Sequence, residues 1–168
     1  SSFQLDHILN FKPNITIITN ISPDHLDRYD YKFQNYTNSK YRIVKNQKIE
    51  DHFIYNYNCE VTKNIFKKTK INSKIYSFSL TKNQVKNPQV FLDKNHINSL
   101  LNKKNFMLSI NKIPIQGKHN LQNSMAAISV AQILKISNQK IKESLKTFKS
   151  IPHRLEHFLT IQKVKYIN

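Results

Sequence analysis

Short apolar runs of strand length alternate with helical patterns over the first half of the chain. The runs cover residues 14–19, 52–58 and 74–79, and they are rich in β-branched and aromatic residues. Between them, the spacing of apolar residues predicts helices at about 31–45 and 61–68. This alternation predicts an α/β fold, with a mostly parallel sheet flanked by helices.

The second half of the chain has a different pattern. Between residues 87 and 114, short apolar clusters separated by Lys and Asn predict a small antiparallel β appendage to the sheet. The clearest helix follows, from Gly117 to about Lys135, and Asn138 is predicted to cap another. A hairpin of residues 158–161 with 164–167 is predicted at the end.

The chain of 168 residues contains one glycine. Loops that cradle phosphates need glycines for tight turns and for close approach of the backbone to the ligand. A nucleotide P-loop is therefore excluded, and if the protein uses a nucleotide, the residues that hold its phosphates must lie elsewhere.

The formal charge of +17 admits a second function class, a basic nucleic-acid-binding module. The lysines are scattered among Asn and Ile, and the sequence contains no nucleic-acid-binding motif of the usual kinds. We therefore expect no specific nucleic-acid partner. Tight binding that survives physiological salt would support the basic module instead.

A single cysteine, Cys59, excludes an intramolecular disulfide and fits a reducing compartment. No apolar run approaches the ~18 residues that a membrane span requires, and no signal peptide is visible. These features predict a cytoplasmic protein without membrane association, and we expect a monomer.

The loop after the first predicted strand, residues 20–29, carries Asp24, His25 and Asp27. Ligands of open α/β sheets bind beyond the carboxyl ends of the strands, where this loop is predicted to lie. All three side chains are therefore candidate ligands. For the two aspartates we favour loop hydrogen bonds and helix capping.

Lys40 shares one predicted helix face with apolar residues, because Phe33, Tyr36 and Val44 recur with it at spacings of three and four. A lysine in such a stripe can pack its stem and keep its ammonium in water. Alternatively it is directed at a site, where burial makes the amine easier to deprotonate. Spacing alone favours the first interpretation.

His119, Asn120 and Asn123 are predicted to fall in the first turn of the helix that follows Gly117. Free N–H groups and the positive end of the helix dipole favour anionic or polar ligands at such a turn. Simple N-capping by Asn120 explains the pattern equally well.

Four stretches, in their order and spacing, resemble the Mur ligase family of peptidoglycan synthesis. They are Ser1–Leu5, Asn20–Tyr29 with Lys40 after it, Gly117–Ala127, and His153–Glu156. The first, Ser-Ser-Phe-Gln-Leu, is similar to the members that add D-glutamate. The resemblance covers essentially the whole chain and is weakest between about Cys59 and Asn111.

The resemblance implies a division of the chain. Residues 1–150 would be the later part of a central ATP-binding domain, and residues 151–168 a linker with the first strands toward a C-terminal domain. The family's P-loop would precede Ser1, and its Asp-Ser-Lys motif would follow Asn168. We therefore expect the chain alone to be inactive.

The implied reaction is ATP-dependent amide formation between UDP-N-acetylmuramoyl-L-alanine and D-glutamate. The substrate carboxylate takes the γ-phosphoryl group to form an acyl phosphate, which the amine of D-glutamate attacks. Charge on the phosphoryl oxygens requires Mg²⁺ and fixed cationic groups. A related amide ligase for another amino acid, such as a folylpolyglutamate-type enzyme, is the alternative, and the first five residues speak against it.

The resemblance also assigns roles to individual residues. His25 would bind Mg²⁺, although Mg²⁺ prefers oxygen ligands. Lys40 matches the lysine that the family carbamylates, in which CO₂ converts the amine to an anion that can engage Mg²⁺. The residues that would contact ATP are His119, Asn120, Asn123 and Arg154. Ser1 and Gln4 match positions near the muramoyl substrate.

Overall fold

A computed structural model describes residues 1–82, 89–101, 105–115, 117–149, 157–162 and 164–167. Its main sheet has six strands in sequence order: β1 (Ile15–Ile18), β2 (His52–Asn56), β3 (Lys74–Ser79), β4 (Val90–Asp93), β5 (His96–Ser99) and β6 (Phe106–Ser109). The first four strands are parallel, and β5 pairs antiparallel with both β4 and β6. The predicted fold class is confirmed, and the antiparallel strands extend the main sheet directly.

The helices are α1 (Ser2–Asp6), α2 (Phe33–Tyr41), α3 (Glu60–Lys63), α4 (Ile65–Lys68), α5 (Lys118–Ile133) and α6 (Asn138–Thr147). Three 3₁₀ turns accompany them, at Leu26–Tyr29, Arg42–Val44 and Ile110–Lys112. The predicted hairpin is confirmed as a separate two-stranded sheet of β7 (His157–Ile161) and β8 (Val164–Ile167). In the described part of the chain, no helix is long and apolar enough to cross a membrane.

The helices α6, α3 and α4 differ in detail from the sequence prediction. Ser137, not Asn138, caps α6, and its hydroxyl accepts a hydrogen bond from the backbone N–H of Lys140 at 3.3 Å. Ser137 has the extended backbone that a cap requires, whereas Asn138 is already helical. The helix predicted at 61–68 consists of α3 and α4, two single turns that join at Asn64.

Each face of the sheet packs against its own helices because successive strand residues point to opposite sides. One core contains Ile54, Phe78, Val90 and Ile97 from the strands, with Met125 and Ile128 from α5. The other contains Ile18, Phe53 and Tyr55 from the strands, with Tyr36, Tyr41 and Val44 from α2 and the turn after it. The result is a three-layer α/β domain.

Two buried polar side chains connect the amino ends of the first three strands. The Gln47 amide donates to the carbonyls of Pro13 and His52, both at 3.0 Å, and accepts from the Ser73 hydroxyl at 2.9 Å. Pro13 precedes β1, His52 begins β2, and Ser73 precedes β3. This side chain therefore fixes the relative positions of three strands.

Asp51 performs a similar role beside it. Its buried carboxylate accepts from Lys12 Nζ at 2.9 Å and from the backbone N–H of Lys48 at 2.7 Å. These hydrogen bonds, that from Lys48 first, hold the pKa of Asp51 below its usual range. Asp51 thus connects the segment before β1 to the turn before β2.

Replacement of the Asp51 carboxylate should make the free energy of unfolding depend less on pH. We expect Asp51→Asn to unfold at lower urea than the wild type at pH 7. Because the pKa is lowered in the folded chain, the stabilisation is complete above the unfolded carboxyl pKa of about 4. It is lost as the pH falls through the lowered value. The gap between the two proteins should therefore narrow in acid.

Urea unfolding followed by circular dichroism between pH 3 and pH 7 measures this gap. Glu143→Gln, at an exposed position of α6, is the matched control and should follow the wild type throughout. A gap between Asp51→Asn and wild type that stays constant with pH would contradict the role given to Asp51.

Candidate functional site

The loop after β1 holds His25 in a left-handed backbone conformation, with φ 50° and ψ 35°. Such a conformation is uncommon for a residue other than glycine, and it recurs at functional sites. The Asp24 carboxylate accepts a hydrogen bond from the His25 backbone N–H at 2.9 Å, and its other oxygen lies 3.4 Å from His25 Nε2. The loop hydrogen bond predicted for Asp24 is confirmed, and Asp27 lies in the 3₁₀ turn that follows.

A continuous series of ring contacts joins His25 to Lys40. The His25 ring lies 5.1 Å from that of Phe3, which stacks on Tyr29 at 6.4 Å. Tyr29 meets the edge of Tyr36 at 5.5 Å, and Lys40 Nζ lies 4.7 Å from the centre of the Tyr36 ring. The structure thus places the two predicted site residues at opposite ends of one aromatic cluster, made of Phe3, Tyr29 and Tyr36.

Lys40 is half-buried on α2, as its position in the apolar stripe predicts. Its Nζ lies over the ring of Tyr36, which is the geometry of a cation–π interaction. Burial raises the pKa of the neighbouring Tyr41 phenol, whose hydroxyl donates to the carbonyl of Val61. The carbamylation of Lys40 stays a prediction.

Ser1 and Gln4 lie together at the start of α1. The Ser1 nitrogen donates to the Gln4 side-chain oxygen at 2.9 Å, an arrangement found in the capping box of helix starts. Both side chains are exposed, so they can reach a ligand. Phe3, between them, contacts the ring of His25. The structure therefore brings the predicted substrate and metal residues to one side of the sheet.

Three of the predicted ATP residues, His119, Asn120 and Asn123, lie on α5, which packs against the other face of the sheet. Gly117 caps this helix with φ 98°, a value that favours glycine, so the N-capping alternative for Asn120 is wrong. Asn120 is half-buried in the first turn, and His119 is exposed beside it. Asn123 lies in the second turn instead of the first. Arg154 lies outside the described residues.

The described residues fit part of a magnesium site. They contain no group of three or more His, Cys, Asp and Glu side chains placed to hold a metal ion. His25 can offer one ring nitrogen, and Lys40 can offer an oxygen only as a carbamate. Mg²⁺ takes six ligands and usually keeps waters and substrate phosphates among them. The remaining ligands would therefore come from ATP, water or residues outside the described part.

One open cleft, of about 340 Å³, has none of the predicted site residues in its lining. Its lining comes from α2, the turn after it, and the end of α4: Asn38, Tyr41, Arg42, Lys45, Lys68 and Thr69.

The sequence analysis did not single out Arg42, Phe3 or Tyr29. The signal for them was weak, because their importance comes from contacts between residues far apart in the sequence.

In a comparison with protein families, the model described as "Mur ligase middle domain" matches residues 1–131. A relative from Christiangramia forsetii, named UDP-N-acetylmuramoylalanine--D-glutamate ligase, is 45% identical over 168 residues. A relative of the same name from Chloroherpeton thalassium is 37% identical over 178 residues. These alignments cover 100% of this chain but 37% and 38% of the relatives, so the chain spans little more than a third of their length.

Solved structures show the same fold. A crystal structure of MurF from Acinetobacter baumannii has a TM-score of 0.68 at 21% identity and covers 90% of this chain and 32% of that one. The alanine ligase MurC from Thermotoga maritima has a TM-score of 0.62 at 20% identity, covering 90% of this chain and 33% of that one. At these identities the likeness concerns the fold alone.

Loss of a hydroxyl from the aromatic cluster should destabilise the chain. Tyr29 is buried and donates to the Asp6 carboxylate at 2.8 Å, which joins α1 to the cluster. We expect Tyr29→Phe to lower the free energy of unfolding by roughly 1.5–3 kcal/mol, as for a hydrogen bond to a charged acceptor. Urea unfolding measures the change. Tyr31→Phe, 79% exposed, is the control and should have no effect; equal stability of both variants would contradict this role of Tyr29.

Proposed function

The chain belongs to the Mur ligase family, and from this premise we propose that it forms part of an ATP-dependent ligase that adds D-glutamate to UDP-N-acetylmuramoyl-L-alanine. The observation that carries the proposal is the name shared by the two relatives, whose alignments include every residue of this chain. The Ser-Ser-Phe-Gln-Leu sequence at the start supports the choice of D-glutamate.

The proposed reaction is amide formation through an acyl phosphate. A carboxylate oxygen of the muramoyl substrate attacks the γ-phosphorus of ATP and releases ADP. The amine of D-glutamate then attacks the acyl carbon, and phosphate leaves with its electron pair as the amine loses a proton. Bound Mg²⁺ would neutralise charge on the phosphoryl oxygens.

The residues of this chain would act from two layers. On one layer, Ser1 and Gln4 would contact the muramoyl substrate, while His25 and the Lys40 carbamate would face the metal. On the other layer, His119, Asn120 and Asn123 would hold the adenine end of ATP. Arg154 would contact the ribose and phosphates. We propose that the parallel strands position both layers around one substrate channel at their carboxyl ends.

The setting of the proposed enzyme follows from its substrates. ATP and a UDP-linked sugar are available in the cytoplasm, and the half-buried free thiol of Cys59 suits a reducing compartment. We propose a cytoplasmic monomer that acts in cell-wall synthesis and hence in cell shape and division.

Lys40→Met tests the proposed site in the full-length protein that contains this chain. We expect D-glutamate-dependent phosphate release to fall about 100-fold or more, as when one fixed electrostatic group is lost from an active site. Lys45→Met, an exposed lysine five positions along, is the control and should keep full activity. Carbon-13 NMR with labelled bicarbonate should show a carbamate signal in the wild type that Lys40→Met lacks.

The same assay separates the alternatives. Activity with another amino acid in place of D-glutamate would indicate a related amide ligase. Full activity of Lys40→Met would contradict the role of the carbamate but not the reaction itself.

The isolated chain should not catalyse the reaction. Without a P-loop it cannot hold the ATP phosphates, so we expect no ADP above background with all three substrates and Mg²⁺ present. A coupled ADP assay measures this, with the full-length protein as the positive control. Formation of the D-glutamyl product by the isolated chain would refute the expectation.

A further inference from the structure

Three side chains on one face of α2 and its continuation donate hydrogen bonds to the first eleven residues. They are Ser39, Arg42 and Asn46, at spacings of three and four, and we call them the donor ladder. Ser39 Oγ donates to the Ser2 carbonyl at 2.9 Å. Arg42 donates from Nε to the Leu5 carbonyl at 2.8 Å and from Nη2 to the Ile8 carbonyl at 3.1 Å. Asn46 Nδ2 donates to the carbonyls of Leu9 at 2.7 Å and Phe11 at 3.0 Å.

The first eleven residues depend on these contacts for their conformation. Helix α1 has five residues, too few for an isolated helix to be stable in water. The last carbonyls of a helix find no N–H donor within that helix, so they accept hydrogen bonds from groups outside it. The rigid guanidinium group of Arg42 contacts two carbonyls at once, that of Leu5 near the end of α1 and that of Ile8 just after it. Two contacts from one planar group fix the orientation of α1 as well as its distance from Arg42.

The donor ladder connects two groups of proposed site residues. Lys40 lies on α2 between Ser39 and Arg42, the first two members of the ladder. On the other side, α1 carries Phe3, whose ring lies 5.1 Å from that of His25, and it begins with the exposed Ser1 and Gln4 side chains. A shift of α1 along α2 would move the substrate side of the site relative to Lys40.

We propose that Arg42 is a positioning residue of the ligase site, and that its hydrogen bonds to Leu5 and Ile8 keep α1 in register with the Lys40 helix. The proposal rests on the proposed function for its catalytic meaning. The charge of Arg42 is directed at backbone carbonyls, so its contribution here is geometric. Arg42 need not touch the substrate to act in this way.

Arg42→Lys is the sharpest variant, because it keeps the charge but cannot bridge two carbonyls with a planar fork. In NMR spectra of this chain we expect the His25 and Phe3 ring signals to shift, since the two rings no longer keep their packing. The control is Lys45→Met, which lines the same cleft as Arg42 and should leave both sets of ring signals in place. Unchanged His25 and Phe3 signals in Arg42→Lys would overturn the proposal.

Kinetics of the full-length protein give the second measurement. We expect Arg42→Lys to raise KM for the muramoyl substrate several-fold and to leave KM for ATP unchanged, because the proposed ATP residues of α5 lie on the other face of the sheet. Simple destabilisation would lower the active fraction, and hence kcat, without changing either KM. Such a result, or a rise in KM for ATP alone, would also overturn the proposal.

Two further measurements distinguish failure of this proposal from unfolding of the variant and from failure of the proposed function. If Arg42→Lys unfolds, Ser39→Ala, which removes the donor to the Ser2 carbonyl, is expected to give the same ring shifts and the same rise in KM. If the wild-type full-length protein has no ligase activity, the proposed function fails. The ring signals then still decide whether Arg42 holds α1 against the His25 loop.

Discussion

The buried hydrogen bonds of Gln47 and Asp51 are the contacts on which the rest of the domain depends. Parallel strands come from distant parts of the sequence, and nothing local fixes how far one strand slides along the next. Gln47 contacts residues at the starts of β1, β2 and β3, and Asp51 joins the segment before β1 to the turn before β2. With the starts aligned, the loops after the strands emerge at one edge.

The loop that follows β1 gains its shape from that alignment and from the aromatic cluster. Its left-handed residue, His25, lies against Phe3, and the cluster continues through Tyr29 and Tyr36 to Lys40. Aromatic rings are large and rigid, so a series of packed rings can connect two side chains that are too far apart to touch. The aromatic cluster connects His25 and Lys40 in this way.

Local patterns predicted most of the sheet and the long helices. Strands β1, β2 and β3 follow from runs of β-branched or aromatic residues, and the start of α5 follows from Gly117. Strand β5 was missed, since its single strongly apolar residue gives no alternation to detect. Helix α1 was missed because five residues have no stable helix of their own, and the donor ladder on α2 stabilises it.

The sequence by itself determined the α/β class, the order of the elements and the family, because these depend on periodicity and on short motifs in a fixed order. It also gave His25 and Lys40 as candidate site residues, through motif positions. The tertiary structure alone decided that Phe3 lies against His25, that Arg42 directs its charge to the carbonyls of Leu5 and Ile8, and that α5, with three of the proposed ATP residues, forms the opposite layer. Such relations join residues many positions apart, and packing of the layers, not any local pattern, brings them together.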